Sequence, residues 1–257
     1  RLDGESLLAK PMKGTAKRGL TLARDEAQRA ALARSPKNRA ENLMIVDMIR
    51  NDLGKVAQIG SVAAPHLFEV ERYPTLLQMT STVTARTQAS IVEILASVFP
   101  CASITGAPKV RTMHIIRELE PQPRGVYTGA IGFIGPGRQA HFNVAIRTAL
   151  IDRKLGAAIY GVGGGLVWDS EAVEEYDECL LKARVLTPQP PFQLLETLLW
   201  ETQTGYFLLD AHLARLADTA AYFNAPLDLA AIKNHLRTLA TDLRRPHKIR
   251  LLIQLNG

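Results

Sequence analysis

The stretch Leu76-Leu-Gln-Met-Thr-Ser-Thr-Val83 decides the fold. Leu77, Met79, Ser81 and Val83 alternate with Gln78, Thr80, Thr82 and Thr84, and the run is rich in β-branched side chains. That period of two predicts a strand, and residues 61–87 read as strands throughout. Upstream, Leu43, Val46, Ile49 and Leu53 recur at helical spacing before Gly54, which predicts a helix over residues 41–53. Residues 1–40 are basic and polar, with few periodic cues beyond PMKGTAKRG. Downstream, Ile91, Ile94, Leu95 and Val98 share one side of a helix over residues 90–99. Pro108, a residue favoured in the first turn, opens another that runs to Leu119. Strands are expected over 126–134, 140–151 and 157–162, turned by Gly135-Pro-Gly and Asp152-Arg-Lys, and a helix over 171–185 closes the region.

The 257 residues exceed one typical domain. Thr187-Pro-Gln-Pro-Pro191 is the clearest linker, stiff and unable to continue a helix. The pattern then restarts, with strands at 194–200 and 206–209, helices from about Leu213 and Leu229, and a closing strand at 249–255. These last 65 or so residues make a marginal core, so this second domain is expected to be incomplete. An apolar fraction of 47% with 22% charged residues is that of a soluble globular protein. No apolar run is long enough for a membrane span. The start at Arg1, without a secretory signal, reads as a missing N-terminal part. Two distant cysteines, Cys101 and Cys179, argue against a disulfide framework and for a reducing cytoplasm. The net charge of +6 suits a basic solvated surface or a site for small anions. Nucleic acid fits poorly, because the basic residues are scattered and not interleaved with aromatics.

One face of the 171–185 helix concentrates charge. Glu171, Glu175, Glu178 and Lys182 fall at i, i+4, i+7 and i+11, while Val173, Tyr176, Leu180 and Ala183 are expected to pack on the core. Such a face is either solvated, with one Glu178–Lys182 pair, or a magnesium site of hard carboxylate oxygens. Gly161-Val-Gly-Gly-Gly165 lacks the GxGxxG spacing of a dinucleotide fingerprint. It suits a strand end whose backbone closely approaches a small ligand and offers N–H groups to a carboxylate. Ser103-Ile-Thr-Gly-Ala-Pro-Lys109 leads into a helix N-terminus, which attracts anions, or is an ordinary capped turn. Arg147 is expected in a central strand, where it needs a bidentate carboxylate; on an edge strand it would snorkel instead. Tyr127 either aims its hydroxyl into the same cleft or is a half-buried sheet residue.

In order along the chain, PMKGT, AENLMIVDMIRNDLG, QMTSTV, SITGAPKVRTM, RGVYTGAIGF, NVAIRTAL, GVGGG and EEYDECLLKA resemble the chorismate-utilising family. That family includes anthranilate, aminodeoxychorismate and isochorismate synthases, and the resemblance covers residues 9–186. It implies an Mg²⁺ ion that binds the ring carboxylate of chorismate and is held by Glu41, Glu175 and Glu178. It implies that Tyr127, Arg147 and the backbone of Gly163 and Gly164 hold the enolpyruvyl carboxylate. Thr105, Gly106 and Ala107 would line the same pocket, and Lys182 would stand close to the carboxylates.

Lys13 separates the branches. PMKGT resembles the PIKGT block of aminodeoxychorismate synthases, where anthranilate synthases carry a small residue in place of the lysine. In that branch the lysine attacks ring C2 as the C4 hydroxyl departs, and ammonia then enters at C4 and expels the amine. The role requires a lysine pKa lowered by burial or by a neighbouring cation, for which Lys10, Lys17 and Arg18 are candidates. Outside this motif Lys13 would read as a surface lysine in a basic loop. Two features depart from the family. Gln78 stands where many relatives have histidine, so no acid–base histidine is assigned there, although Gln78 could hydrogen-bond substrate. The family's general acid, a glutamate upstream of the lysine motif, has no counterpart in the chain.

After the linker, LLETLLWETQTGYFLLDAHLARLADTAAYF resembles the start of 4-amino-4-deoxychorismate lyase, a pyridoxal-phosphate protein of the class IV aminotransferase fold. Arg215 matches a contact to the cofactor phosphate there, and the family's Schiff-base lysine would lie beyond Gly257. The expected fold is therefore α+β. Residues 1–187 would form a layered sandwich of two facing, largely antiparallel sheets with outer helices, the C-terminal part of the chorismate-binding fold. Residues 188–191 would be the linker and 192–257 the start of a second α+β domain. The expected function is the synthase component of a cytoplasmic, bifunctional enzyme that converts chorismate and ammonia to 4-amino-4-deoxychorismate for p-aminobenzoate and folate. Its cofactor would be Mg²⁺, with pyridoxal phosphate only if the second domain is completed. Its partner would be a glutamine amidotransferase subunit, with neither nucleic acid nor membrane involved. The alternatives are anthranilate synthase component I and a non-catalytic chorismate-binding fragment.

Overall fold

The computed structural model describes residues 1–168, 170–187 and 191–255, so the expected linker falls largely outside the described residues. Its contacts divide into two units. The first is Arg1–Thr15, Leu32–Arg72 and Leu77–Pro188; the second is Ala16–Ala31, Tyr73–Leu76 and Gln189–Gly257.

The chain opens with strands β1 (Leu2–Asp3), β2 (Ser6–Ala9) and β3 (Met12–Lys17), followed by helices α1 (Leu22–Arg34) and α2 (Pro36–Gly54). The 41–53 helix thus starts five residues earlier than periodicity predicts. Ser35 accepts a bond from the backbone N of Asn38 at 3.3 Å, and Pro36 suits the first turn. Its buried face also differs from expectation. Leu43 is exposed, and Asn42 lies inward with Ile45, Val46 and Leu53.

Strands β4 (Ala63–Arg72) and β5 (Leu76–Arg86) come next, then α3 (Ile91–Val98), whose start carries a reciprocal Ser90–Glu93 capping box. Helix α4 (Lys109–Leu119), strands β6 (Ala130–Gly135), β7 (Gln139–Val144), β8 (Ala149–Asp152) and β9 (Ala157–Tyr160), and helix α5 (Ala172–Ala183) complete the first unit. Seven strands form one sheet in the order β3-β5-β2-β1-β7-β6, with β4 also paired to β5; β8 and β9 form a separate ribbon. The registered pairs are antiparallel, such as Leu8 opposite Thr84 and Leu2 opposite Ala140. The class is α+β with antiparallel sheets, as expected.

The opening stretch lies on an interior strand of this sheet, flanked by β4 on one side and by β2 and β3 on the other, and is buried on both faces, not one. Gln78, Thr80 and Ser81 are as enclosed as Leu77, Met79 and Val83. Buried polar side chains need partners, and these have them. Ser81 Oγ donates to Asn42 Oδ1 at 2.6 Å and accepts from the backbone N of Phe68 at 3.1 Å. Leu2, Leu7, Val83, Ala85 and Ala140 of the sheet pack with Val46 and Leu53 of α2 and Ile94 of α3. Asp52, at the end of α2, takes Lys109 at 2.9 Å and so fixes the first residue of α4.

Three expectations fail around the site. The 126–134 strand begins only at Ala130, because Gly125 and Thr128 adopt φ of +60° and +63° and turn the chain. The 140–151 strand is broken into β7 and β8. Arg147 lies in the break at φ +50°, exposed, and not in a central strand. On α5 the apolar residues Val173, Tyr176 and Leu180 face outward with exposures of 73%, 65% and 50%, whereas Glu175, Cys179 and Lys182 are half-buried. Hydrogen bonds from Ser170 to Glu175 and from Lys182 to Gly163 hold the helix in that orientation.

The second unit contains β10 (Leu194–Glu201), β11 (Gly205–Tyr206), α6 (Leu209–Phe223), α7 (Leu229–Asp242) and β12 (His247–Ile253). Its sheet runs β11-β10-β12, and Leu194, Leu213, Leu216 and Ala220 form its core. The expected 206–209 strand stops at Tyr206, since Leu208 turns at φ +50° and α6 starts at Leu209. Arg18 organises the early residues of this unit. Its guanidinium bonds to buried Asp25 at 2.6 Å and to the carbonyls of Tyr73 and Tyr222 at 2.8 and 2.7 Å, and it lies 4.2 Å over the Tyr222 ring. Among the described residues no single helix is long and apolar enough to cross a membrane.

Gly132 tests the sheet. A Cβ there would collide with the carbonyl oxygen of His141 and come within 2.7 Å of Phe142 Cα, both backbone atoms. Gly132→Ala should therefore cost about 3 kcal/mol in denaturant unfolding. Gly54→Ala, where an added Cβ meets nothing within 4 Å, should not lower stability.

Candidate active site

The run Gly161–Gly165 follows β9 as irregular backbone, and side chains from three other segments lie where the Cβ atoms of its glycines would be. The Tyr127 ring fills the position at Gly161, and the Tyr127 hydroxyl lies 2.8 Å from that of Gly163. Glu175 Oε2 is 2.7 Å from the Cβ position of Gly164, and Lys13 Nζ is 2.6 Å from that of Gly165. Only glycine leaves room for these approaches at 161, 163, 164 and 165. Lys182 Nζ donates to the Gly163 carbonyl at 2.8 Å and pairs with Glu178 at 3.0 Å. Lys13 Nζ stands 3.4 Å from Glu41 Oε2 on α2. Lys13, Glu41, Tyr127, Gly163, Gly164, Glu175, Glu178 and Lys182 are thereby gathered around one five-residue stretch.

Tyr127 owes its place to the turn that replaced the expected strand. Arg124 clamps this turn, gripping Glu120 through two bonds of 2.8 and 2.7 Å and the Ile104 carbonyl at 2.9 Å. Burial pushes the Tyr127 hydroxyl above its ordinary pKa, with Arg124 acting weakly the other way, so it remains a hydrogen-bond donor at neutral pH. Tyr127 and Thr105 both line a cavity of about 530 Å³, walled also by Phe99, Ile104, Met113 and Arg124. At Gly106, φ +135°, an added Cβ would stand 3.0 Å from Thr112; the residue leads to the α4 N-terminus, which has no side-chain cap. Gly106, Ala107 and Arg147 do not join the cluster along Gly161–Gly165. Lys10, expected near Lys13, is instead paired with Glu71; the charged group at Lys13 Nζ is the Glu41 carboxylate.

The donor chemistry fits a hard divalent cation at one point in particular. Glu175 Oε2 is buried without a hydrogen-bond partner, while Oε1 accepts from Ser170 Oγ at 2.6 Å. Glu41 and Glu178 each hold a lysine, and no three His, Cys, Asp or Glu side chains converge on one ion position among the described residues.

Two members of the site were not read from sequence. Ser170 orients Glu175 and carried no periodic signal. Asn42 carried one: it keeps helical register with Val46, Ile49 and Leu53, where an apolar residue is expected. Gln78, read as a group that could reach substrate, bonds instead to Gly14 and Thr15.

In the second unit Arg215 is held by Glu196, which is 3% exposed. Arg215 Nε donates to Glu196 Oε1 at 2.7 Å, its Nη2 also reaches Oε2, and His212 Nδ1 lies 2.8 Å from Oε2. The Arg215 guanidinium keeps Glu196 below the ordinary carboxylate range, with His212 adding to the effect.

The sequence matches a family described as chorismate binding enzyme over residues 1–188. It is 47% identical over 190 residues to a probable aminodeoxychorismate synthase, chloroplastic, from Oryza sativa subsp. japonica, covering 73% of this chain and 21% of that protein. It is 46% identical over 182 residues to aminodeoxychorismate synthase component 1 of Klebsiella aerogenes, covering 70% of this chain and 40% of that protein. The fold resembles MenF, the menaquinone-specific isochorismate synthase from Escherichia coli, with a TM-score of 0.62 at 23% identity over 72% of this chain and 42% of that one. The chain therefore has the fold of the chorismate binding enzymes. More specifically, this chain belongs to the chorismate binding enzyme family, and it spans between a fifth and two fifths of the length of these two curated relatives.

The glycine run and the Glu196 cluster each yield a test. Gly165→Ala places a methyl against the tip of a flexible lysine, so unfolding free energy should change by no more than about 0.5 kcal/mol while Lys13 is displaced from Glu41. Gly161→Ala presses on the root of the Tyr127 ring, with Cδ2 at 2.5 Å and Cβ at 2.9 Å, and should cost about 1–3 kcal/mol. Equal losses for the two variants in urea melts would refute this. Glu196 has a depressed pKa when folded, so its contribution is present at neutral pH and is lost as pH falls through that depressed value. Glu196→Gln should be less stable near neutrality yet lose less stability than wild type on acidification from about pH 7 to about pH 3, measured by urea melts.

Proposed function

We propose that this chain carries the chorismate-aminating chemistry of an aminodeoxychorismate synthase, converting chorismate and ammonia to 4-amino-4-deoxychorismate. The observation that carries the reading is Lys13, laid against Gly165 beside Glu41 within the family-matched part of the chain. The identity of 46–47% to aminodeoxychorismate synthases supports it. In this reading the Lys13 amine forms a C–N bond at ring C2 as the C4 hydroxyl leaves as water after protonation. Ammonia then bonds at C4 while the C2–N bond breaks, which returns Lys13 to its free form.

The other residues position the substrate. Tyr127, protonated, donates to a carboxylate of chorismate beside the exposed backbone of Gly163 and Gly164, and Lys182 adds positive charge next to it. Thr105, with Gly106 and Ala107, lines the adjoining cavity wall, and Arg147 would have to move from its exposed break to take part. Mg²⁺ would be held by Glu175, through its unpartnered oxygen, and Glu41 and Glu178 would join only on exchanging their lysines for it. When bound it would supply positive charge for the ring carboxylate. A glutamine amidotransferase partner would supply ammonia, a reading supported by the relative described as component 1. Two free cysteines suit a reducing, cytoplasmic setting.

The second unit, in this reading, begins a 4-amino-4-deoxychorismate lyase domain that would consume the product of the first. Arg215 fits a cofactor phosphate: Glu196 takes its Nε and Nη2, and its side chain remains 66% exposed. Pyridoxal phosphate held there would supply an electron sink once the domain is complete.

Lys13→Ala in the full-length protein should abolish amination of chorismate, followed by mass analysis of the product, while chorismate still binds. Full turnover by the variant, or anthranilate as the product of the unmodified enzyme, would overturn the reading.

A further inference from the structure

Lys13 is gripped at its backbone as well as at its amine. Asn42 is fully buried; its Nδ2 donates to the Lys13 carbonyl at 3.0 Å, and its Oδ1 accepts from Ser81 Oγ at 2.6 Å. One residue further, Gln78 Nε2 donates to the Gly14 carbonyl at 2.7 Å, and its Oε1 accepts from Thr15 Oγ1 at 3.1 Å. Between these bonds Gly14 turns at φ +100°, and its Cβ position is closed by Asn38 at 3.1 Å and Met79 at 3.3 Å. Glu41, adjacent to Asn42 on α2, takes the other end of the lysine. Two successive residues of one helix thus hold the backbone carbonyl and the side-chain ammonium of one residue, and the interior strand β5 holds the next carbonyl.

We propose that Asn42 and Gln78 are positioning residues that fix the strand carrying Lys13 and so set where its amine stands. The proposal deepens the reading of Lys13 as the nucleophile and rests on it. A lysine has four rotatable side-chain bonds, so its amine is placed only if its root is held as firmly as its tip. The root is held by two amides whose donors and acceptors are both satisfied, inside the most enclosed part of the sheet. Each amide bridges two segments: Asn42 joins β3 to β5 through Ser81, and Gln78 joins β5 to β3 twice. Losing one removes a part-buried bond that ties β3 to its neighbours and frees the strand to shift. A shift of about 1 Å in a reacting group is enough to lower turnover on the order of 100-fold. Amides serve this purpose where titratable groups would not, since their donor and acceptor sites do not change with pH.

The test uses the full-length enzyme with Gln78→Met, which keeps the length of the side chain and removes both bonds, and Asn42→Asp, which keeps the acceptor for Ser81 and removes the donor. Turnover is measured alongside acetylation of Lys13 by acetic anhydride, read by mass spectrometry as a ratio to Lys182 in the same chain. Gln78→Met should lower kcat about 10- to 100-fold with KM for chorismate unchanged. The Lys13 to Lys182 acetylation ratio should rise several-fold in both variants, as the amine leaves its place against Gly165. An unchanged ratio in both variants, with wild-type circular dichroism, overturns the grip. Should Lys13→Ala retain turnover, the nucleophile reading fails, and the acetylation ratio still decides the grip by itself. If Gln78→Met does not fold, Gln78→Glu, which keeps the bond from Thr15 and when ionised cannot donate to Gly14, takes its place with the same expected ratio.

Discussion

The space left by missing side chains along Gly161–Gly165 governs the arrangement around it. An aromatic ring, a carboxylate and an amine, from three different segments, all stand where a Cβ would be, and each requires its own glycine for a different reason. At Gly161 the Tyr127 ring presses with atoms close to its own backbone, which have nowhere to go. At Gly164 and Gly165 the tips of Glu175 and Lys13 approach, which could retreat but would then lose their setting. The run therefore combines two kinds of constraint, one on the fold and one on the placement of charged groups. Of the elements that supply the charged groups, α2 is anchored by Val46 and Leu53, and β3 lies beside β5, where Met79 and Val83 are fully buried.

Charge is distributed around that run as alternating pairs. Lys13 faces Glu41, Lys182 faces Glu178, and Glu175 is satisfied at one oxygen only, by the uncharged hydroxyl of Ser170. Such pairing keeps the desolvation cost of a half-buried cluster modest. It leaves the uncompensated negative charge at Glu175, beside the two free lysine-bearing edges of the run. A dianionic substrate entering this field would exchange partners with the lysines and leave carboxylates in need of a cation. The pairs are thus replaceable contacts, in contrast to the amide bonds at Lys13 and Gly14, which use neutral groups and need not open when ligands bind.

Much of this was legible in the residues, and the failures have particular causes. The alternation of 76–83 located the interior strand, and the helices of α3, α4 and α5 were found to within a few residues. Burial on both faces of β5 is not legible, because Gln78 and Thr80 look like outward residues until Gly14 and Thr15 are seen to satisfy the one and Glu69 and Glu71 the other. Tyr127 and Arg147 were placed in strands by their apolar neighbours. Positive φ at Thr128 and Arg147, which neither residue type announces, broke both strands. The charged face of α5 is evident from its spacing, but the helix is turned the other way from that expected, with its hydrophobic residues outward. Bonds to Ser170 and Gly163 decide this, and those depend on a loop that no local pattern describes.

Arg18 has a consequence for how the chain may be divided. Its bonds to Asp25, Tyr73 and Tyr222 draw residues 16–31 and 73–76 into the same compact unit as the last segment of the chain. The second unit is therefore assembled from three separate stretches of sequence, two of them embedded within the family-matched region. A scissors cut at the linker would look natural on paper. It would leave an internal guanidinium and an aspartate stripped of the tyrosine that shields them, so the gene has no single point at which these two bodies can be parted cleanly.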